Sequence, residues 1–222
     1  DPSSFAITSV PFYIAQRSAL ELLGPSIFSI KLWGLVFALV TGVGAVLLLR
    51  RWFRPNIALL SAAIMITTGQ FIYVAQSGTP SITYIMWPLW LLLTATMITT
   101  SQRHRRFWKV LFFIIAPLSL YTPLNIYLVL AIISAGLIHP HVRYVLRRMS
   151  TPHLAGLVAM SLVIVAPLFY LVTTNPSLIG QLLGMPADWP PNIADNAKTL
   201  GQQYFNFAHP ASTSLMTPIL GL

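Results

Sequence analysis

Long uncharged stretches, separated by short clusters of arginine and lysine, organise the chain. The uncharged segments cover residues 32–49, 55–102, 110–142 and 149–187, with lengths of 18, 48, 33 and 39 residues. A helix needs about 20 apolar residues to cross the roughly 30 Å hydrocarbon core of a bilayer. The pattern therefore predicts an all-α, polytopic membrane protein with about six transmembrane or half-length helices.

The basic residues predict which side of the membrane each loop occupies. Ten of the 13 lie in three clusters, here called basic islands: Arg50, Arg51 and Arg54; Arg103, Arg105, Arg106 and Lys109; and Arg143, Arg147 and Arg148. The four acidic residues lie in the end segments: Asp1, Glu21, Asp188 and Asp195. Because short loops rich in Lys and Arg stay cytoplasmic, we expect all three islands inside and both ends of the chain extracytoplasmic.

Two segments must leave the cytoplasmic side and return to it. Between the first and second islands, spans from Ile57 to Ala75 and from Ile82 to Thr100 are predicted around a Pro- and Gly-containing outer turn at 76–80. Between the second and third islands, the apolar part from Val110 to Ile138 has only 29 residues. Two helices sharing it reach roughly 18 to 23 Å each, short of a full bilayer. We expect them to meet at a break at 121–123, buried in protein or lining a wet cavity.

The same pattern divides the chain into three regions. Residues 1–31 are predicted to form an extracytoplasmic segment with an interfacial helix, residues 32–173 a transmembrane helical domain, and residues 174–222 an extracytoplasmic loop region. The interfacial helix is expected from Phe12 to Leu23, and a further helix in the tail from Ile193 to Phe207. Because the chain opens on Asp1 without Met or a leader, we expect it to be a piece of a longer protein.

Small residues mark a contact face on the first span. Gly34, Ala38 and Gly42 recur at four-residue spacing. This spacing is typical of helices that approach each other closely in membranes.

Composition supports the membrane class and excludes several functions. The chain is 56% hydrophobic and 8% charged, against about 25% charged residues in a soluble domain. Its net charge of +9 would be compatible with nucleic acid, but the basic residues flank apolar runs instead of lining one face, so no nucleic-acid partner is expected. The absence of cysteine excludes disulfides and zinc-thiolate sites.

Candidate chemistry is sparse and lies on the predicted outer side. No carboxylate falls within a predicted span, which argues against a proton-coupled carrier, and no set of metal ligands is identified. Gln76 and Thr79 lie at the outer turn, and Tyr121 and Asn125 at the helix break. If the two pairs face one outer cavity, they can hydrogen-bond a sugar or a phosphate. The alternative is that these polar residues are hydrated at the membrane–water interface and bind no substrate.

The order of several short motifs resembles one known family. The motifs are Pro11-Phe12-Tyr13, Leu22-Leu23-Gly24, Ser29-Ile30-Lys31-Leu32, Arg50-Arg51-Trp52-Phe53 and Tyr73-Val74-Ala75-Gln76. Over about residues 8–175 the chain is similar to the GT-C superfamily of membrane glycosyltransferases, the bacterial relatives of dolichyl-phosphate-mannose protein mannosyltransferases and of aminoarabinose lipid A transferase.

The resemblance implies a function and partners. It implies transfer of a sugar from a polyprenyl-phosphate carrier to an acceptor on the outer face of a bacterial cytoplasmic membrane, with membrane lipid and the lipid-linked sugar donor as partners. The catalytic base of the family is an acidic residue in the first outer loop. That loop would lie upstream of Asp1, so no catalytic residue is assigned.

The family also binds the lipid phosphate through cations or a divalent metal. This chain has Thr79 where the family often has Arg, and Tyr121-Thr122-Pro123 where it often has Lys. A divalent metal cofactor is therefore implied by resemblance alone, and no ligand for it is identified.

Two further classes stay open at this point. A subunit of a permease or lipid flippase should show an internal repeat, and none is found among the predicted spans. A non-catalytic membrane scaffold predicts no pocket on the outer side.

Overall fold

The computed structural model of the chain describes residues 8–101, 104–138 and 151–185, together with residues 193, 194, 197 and 198. Within these ranges the structure is helical and contains no strand. We number the helices α1 (Val10–Leu23), α2 (Ile27–Leu49), α3 (Pro55–Thr67), α4 (Gly69–Gln76), α5 (Thr83–Thr100), α6 (Arg105–Ser119), α7 (Asn125–Ile138), α8 (Thr151–Thr174) and α9 (Ser177–Leu183). A 3₁₀ turn, Pro80–Ile82, leads into α5.

Several helices are long and apolar enough to cross a membrane. Among the described residues, α2, the stretch Pro80–Thr100 and α8 each meet this condition, and α3 with α4 meets it as a bent pair. The described part of the chain therefore has three candidate spans, or four if the bent pair is one span. With the shorter helices α6 and α7, this confirms an all-α, polytopic integral membrane protein.

The chain divides into two compact units. Of the described residues, 16–82 with 193, 194, 197 and 198 form the N-terminal unit, and 8–15 with 83–101, 104–138 and 151–185 form the central unit. The predicted regions 1–31, 32–173 and 174–222 concern sides of the membrane, and they stay a prediction.

In the N-terminal unit, α2 packs against α3, α4 and the 3₁₀ turn. The small residues of α2 face these partners. A Cβ on Gly34 would lie 2.6 Å from the carbonyl oxygen of Ala75, and one on Gly42 would lie 2.8 Å from Ile66 Cδ1. Glycine thus lets α2 approach α3 and α4 closely, as the spacing predicts.

The segment predicted as a span from Ile57 to Ala75 is helical but bent, because the structure turns by 61° between α3 and α4. Thr68 causes the bend. Its backbone is extended (φ −63°, ψ 136°). Its hydroxyl donates to Met65 O at 2.8 Å and accepts from the Phe71 N–H at 3.3 Å. One side chain therefore closes α3 and caps α4.

In the central unit, α5 packs on α6 and α7, α6 packs on α8, and α9 packs on α8. The Ser161 hydroxyl of α8 donates to Phe113 O of α6 at 2.7 Å. The predicted helix break is present, since α6 ends at Ser119 and α7 begins at Asn125. Leu124 in this break has φ +67°, and its N–H donates to Leu182 O at 2.9 Å.

The end segments agree in part with expectation. Helix α1 covers the predicted stretch from Phe12 and ends before Gly24, which has φ +78°. Its place at the membrane interface stays a prediction. The predicted tail helix from Ile193 to Phe207 lies largely outside the described residues.

Candidate functional site

A row of hydroxyl groups lines the turn after α4. The Ser77 hydroxyl donates to Val74 O at 2.9 Å and lies 2.7 Å from Thr79 Oγ1. Thr79 Oγ1 in turn lies 2.9 Å from Ser81 Oγ. We call Ser77, Thr79 and Ser81 the hydroxyl row. Thr79 is exposed and the other two are half-buried, so the row presents hydrogen-bonding groups at the surface of the N-terminal unit.

A glutamine far away in the sequence fixes this turn. The Gln16 amide donates to Ile30 O at 3.0 Å and to Gly78 O at 3.1 Å. Gly78 has φ +67° and its α-carbon lies against Ile30, because an added Cβ would lie 3.0 Å from Ile30 Cγ2. The turn is therefore held against the start of α2. No local sequence pattern marks Gln16 or Ser81 as part of this region.

An apolar groove of about 500 Å³ lies between α2 and the bent pair α3–α4. Its walls are formed by Leu35, Ala38, Leu39, Gly42, Val43, Val46 and Leu47 of α2, and by Ile66, Phe71, Ile72, Ala75 and Gln76. From Leu35 to Leu47, α2 rises about 18 Å. Gln76 is exposed, and its side chain forms no hydrogen bond within the part of the chain that the structure describes. The groove thus adjoins an available amide and the hydroxyl row.

Tyr121 and Asn125 are buried at the break in the central unit, with exposures of 4% and 5%. The Tyr121 hydroxyl donates to Ile164 O at 2.7 Å, and the Tyr121 carbonyl accepts from the Ser9 N–H at 2.6 Å. The Asn125 amide donates to Ser119 O at 3.3 Å. The bond from Ser9 pairs a carbonyl that the break leaves without a helical partner, and the Tyr121 hydroxyl ties the break to α8.

A pair of buried threonines supports the same break. Thr122 and Thr83 are 1% exposed each, and their hydroxyl oxygens lie 3.4 Å apart. This pair joins the start of α5 to the segment after α6, and no local sequence pattern predicts it.

The four predicted site residues therefore form two local pairs. Gln76 and Thr79 lie at one turn of the N-terminal unit, and Tyr121 and Asn125 at one break of the central unit. A cavity shared by the two pairs, and substrate contact by any of the four, stay predictions.

The described residues do not fit a resident metal ion. Within ranges 8–101, 104–138 and 151–185, no three His, Asp or Glu side chains lie close enough to hold one. Glu21 is the acidic residue in these ranges; its Oε1 lies 2.8 Å from Arg17 Nε in an exposed ion pair. We therefore assign neither a metal ligand nor a catalytic base among them.

The apolar helices define an integral membrane protein, and comparison with known families specifies its class. The family model described as dolichyl-phosphate-mannose-protein mannosyltransferase matches residues 9–170. Because this match covers more than half of the chain, the protein belongs to that family of GT-C membrane glycosyltransferases. No curated protein and no solved structure gave a significant match. Family membership favours an enzyme over the permease, flippase and scaffold alternatives.

Proposed function

We propose that this protein transfers a sugar from a polyprenyl-phosphate carrier to an acceptor on the outer face of a bacterial cytoplasmic membrane. Membership of the matched family indicates that the protein is a glycosyltransferase. The apolar groove of the N-terminal unit is the observation that favours a polyprenyl donor. Such a donor joins a long apolar chain to a phosphate and a sugar, so it needs an apolar channel that ends beside polar groups.

The groove and the adjacent turn offer both features. The groove walls along α2 are aliphatic or glycine from Leu35 to Leu47. A prenyl chain in a bilayer is already out of water, so the groove would hold it by close van der Waals packing. Gln76 lines the groove, and the exposed Thr79 follows three residues later. In this proposal the prenyl chain lies in the groove, and the Gln76 amide and Thr79 hydroxyl donate to phosphate or sugar oxygens.

The proposed reaction is a displacement at the anomeric carbon. An acceptor hydroxyl oxygen attacks this carbon, the bond from the carbon to the phosphate oxygen breaks, and polyprenyl phosphate leaves with the bonding electrons. The acceptor proton passes to a base, for which the family implies a carboxylate. Neutral donors such as Gln76 and Thr79 stabilise the charge that develops on the leaving phosphate.

Tyr121 and Asn125 remain proposed contacts of the sugar or acceptor. Their hydrogen bonds to Ile164 O and Ser119 O already support the helix break. A role in substrate binding would therefore depend on this break keeping its shape.

A substitution that fills the groove tests the proposed donor. Val43 lies on the groove wall and is 55% exposed, so Val43→Trp should occupy the groove with little disturbance of the core. We expect the KM for a long-chain polyprenyl-phosphate sugar to rise about tenfold, as for the loss of about 1.4 kcal/mol of packing contacts with the groove wall. Transfer from a short-chain donor should change little. Radiolabelled sugar transfer by the full protein in liposomes measures both.

Val40→Trp is the matched control, because Val40 lies on the same helix but not on the groove wall. Equal losses in both variants, or equal losses with long- and short-chain donors, would contradict the groove as the prenyl site. Transfer from a nucleotide sugar alone would contradict the proposed donor class.

A further inference from the structure

Two cations on one face of α6 lack a counter-charge. Arg105 and Lys109 are four residues apart, and residues at this spacing are neighbours on a helix surface. Lys109 is only 9% exposed, and it forms no hydrogen bond or ion pair with the residues that the structure describes. The Arg105 Nε–H is buried and has no hydrogen-bond partner among the residues that the structure describes.

Helices α5, α7 and α8, which pack on α6, carry no Asp or Glu, since neither residue type occurs between Glu21 and Asp188. Taking an unpaired charge out of water costs several kcal/mol. Lys109 directly precedes the apolar segment that begins at Val110. Burial lowers the pKa of Lys109, and the neighbouring Arg105 lowers this pKa further. An anion from outside the chain would relieve both the burial cost and the repulsion.

The neighbours of these cations indicate where this anion comes from. Phe107 is 58% exposed, and its ring centroid lies 5.3 Å from that of Trp108. Aromatic side chains beside Lys and Arg, directly before an apolar segment, are typical of the level of the lipid headgroups. A lipid can place its phosphate on the cations and its acyl chain along Phe107, whereas a free phosphate uses the cations alone.

We propose that Arg105 and Lys109 bind the phosphate of an anionic membrane lipid. This site belongs to the second basic island, which is predicted to be cytoplasmic. It is therefore separate from the sugar donor proposed for the outer turn, and it does not depend on the proposed function.

Thermal unfolding of the full protein in nanodiscs tests this site. The probes are nanodiscs of phosphatidylcholine alone and nanodiscs that also contain phosphatidylglycerol. We expect phosphatidylglycerol to stabilise the wild type and to be retained in native mass spectrometry. Lys109→Met removes the charge but keeps the volume. It should raise stability in phosphatidylcholine, because a buried charge is gone, and should abolish the gain from phosphatidylglycerol.

Arg105→Gln should reduce the retention of phosphatidylglycerol about tenfold, as expected when one charged hydrogen bond is lost. Arg106→Gln is the control, because it removes the same charge from an exposed neighbour, and it should keep retention near the wild-type level. If Lys109→Met does not fold, the comparison of these two arginine variants decides.

Three results would each overturn the proposal. The first is an equal gain from phosphatidylglycerol in the wild type and in Lys109→Met. The second is equal retention in Arg105→Gln and Arg106→Gln. The third is full stabilisation of the wild type in phosphatidylcholine by inorganic phosphate, which would show a site for free anions instead of lipid.

Discussion

At the scale of single residues, the close approach of α2 to α4 depends on Gly34, whose side chain is a single hydrogen atom. Gly34 faces the carbonyl oxygen of Ala75, and a methyl group there would lie 2.6 Å from that oxygen. This oxygen belongs to the backbone of α4, so it cannot rotate away as a side chain can. Any larger residue must push α2 and α4 apart.

We therefore expect Gly34→Ala to lower the free energy of unfolding by about 1 to 3 kcal/mol, the usual cost of overpacking. Gly156→Ala is the control, because a Cβ there meets nothing within 4 Å. This change should be neutral or should raise stability by up to about 1 kcal/mol, since alanine favours helix over glycine. Denaturation in detergent micelles measures both variants. Equal effects would show that the contact with Ala75 does not limit the packing of α2.

The residue scale also shows which parts of the candidate site sequence reasoning could reach. Gln76 and Thr79 were placed at the outer turn because Pro and Gly interrupt the apolar pattern there. Gln16 was missed, since it contacts Gly78 across 62 residues of sequence and no local pattern encodes that contact. The hydrogen bond from Tyr121 to Ile164 O spans 43 residues, so no local pattern predicts the burial of Tyr121 either.

At the scale of helices, length and apolarity predicted the existence of α2, α5 and α8, and Pro123 with the short segment predicted the break before α7. The bend between α3 and α4 was not predicted, because apolar residues continue on both sides of Thr67, Thr68 and Gly69. The bend arises from one threonine hydroxyl that bonds on both sides. It shapes one wall of the groove, since Ile66 lies before it and Phe71 after it.

Thr68→Val should therefore destabilise the N-terminal unit by about 1 kcal/mol, the usual cost of losing a helix N-cap. It should also weaken sugar transfer from a long-chain donor if the groove loses its shape. Thr67→Val is the matched control, since the Thr67 hydroxyl bonds only to the preceding carbonyls of Ala63 and Ile64. Unfolding and transfer assays compare the two. A larger loss in Thr67→Val would contradict the role of Thr68.

At the scale of the whole molecule, the lengths of α6 and α7 constrain the path of the chain through the membrane. Within the residues that the structure describes, α6 has 15 residues and α7 has 14. These described parts reach about 22 and 21 Å, short of the roughly 30 Å of hydrocarbon. The pair either enters and returns to one side, as the basic islands predict, or acts together as one crossing.

The position of the third basic island distinguishes these two paths. If α6 and α7 return, Arg143, Arg147 and Arg148 are cytoplasmic, as the preference of Lys and Arg for that side requires. The chain has no cysteine, so single cysteines can report each loop without background. With an impermeant maleimide on intact cells, we expect Thr79→Cys to react from outside, and Arg51→Cys, Arg106→Cys and Arg148→Cys to react only after permeabilisation. Outside labelling of Arg148→Cys with inside labelling of Arg106→Cys would mean that α6 and α7 together make one crossing. Outside labelling of Arg106→Cys would invalidate the whole assignment, and would move the proposed lipid site to the outer leaflet.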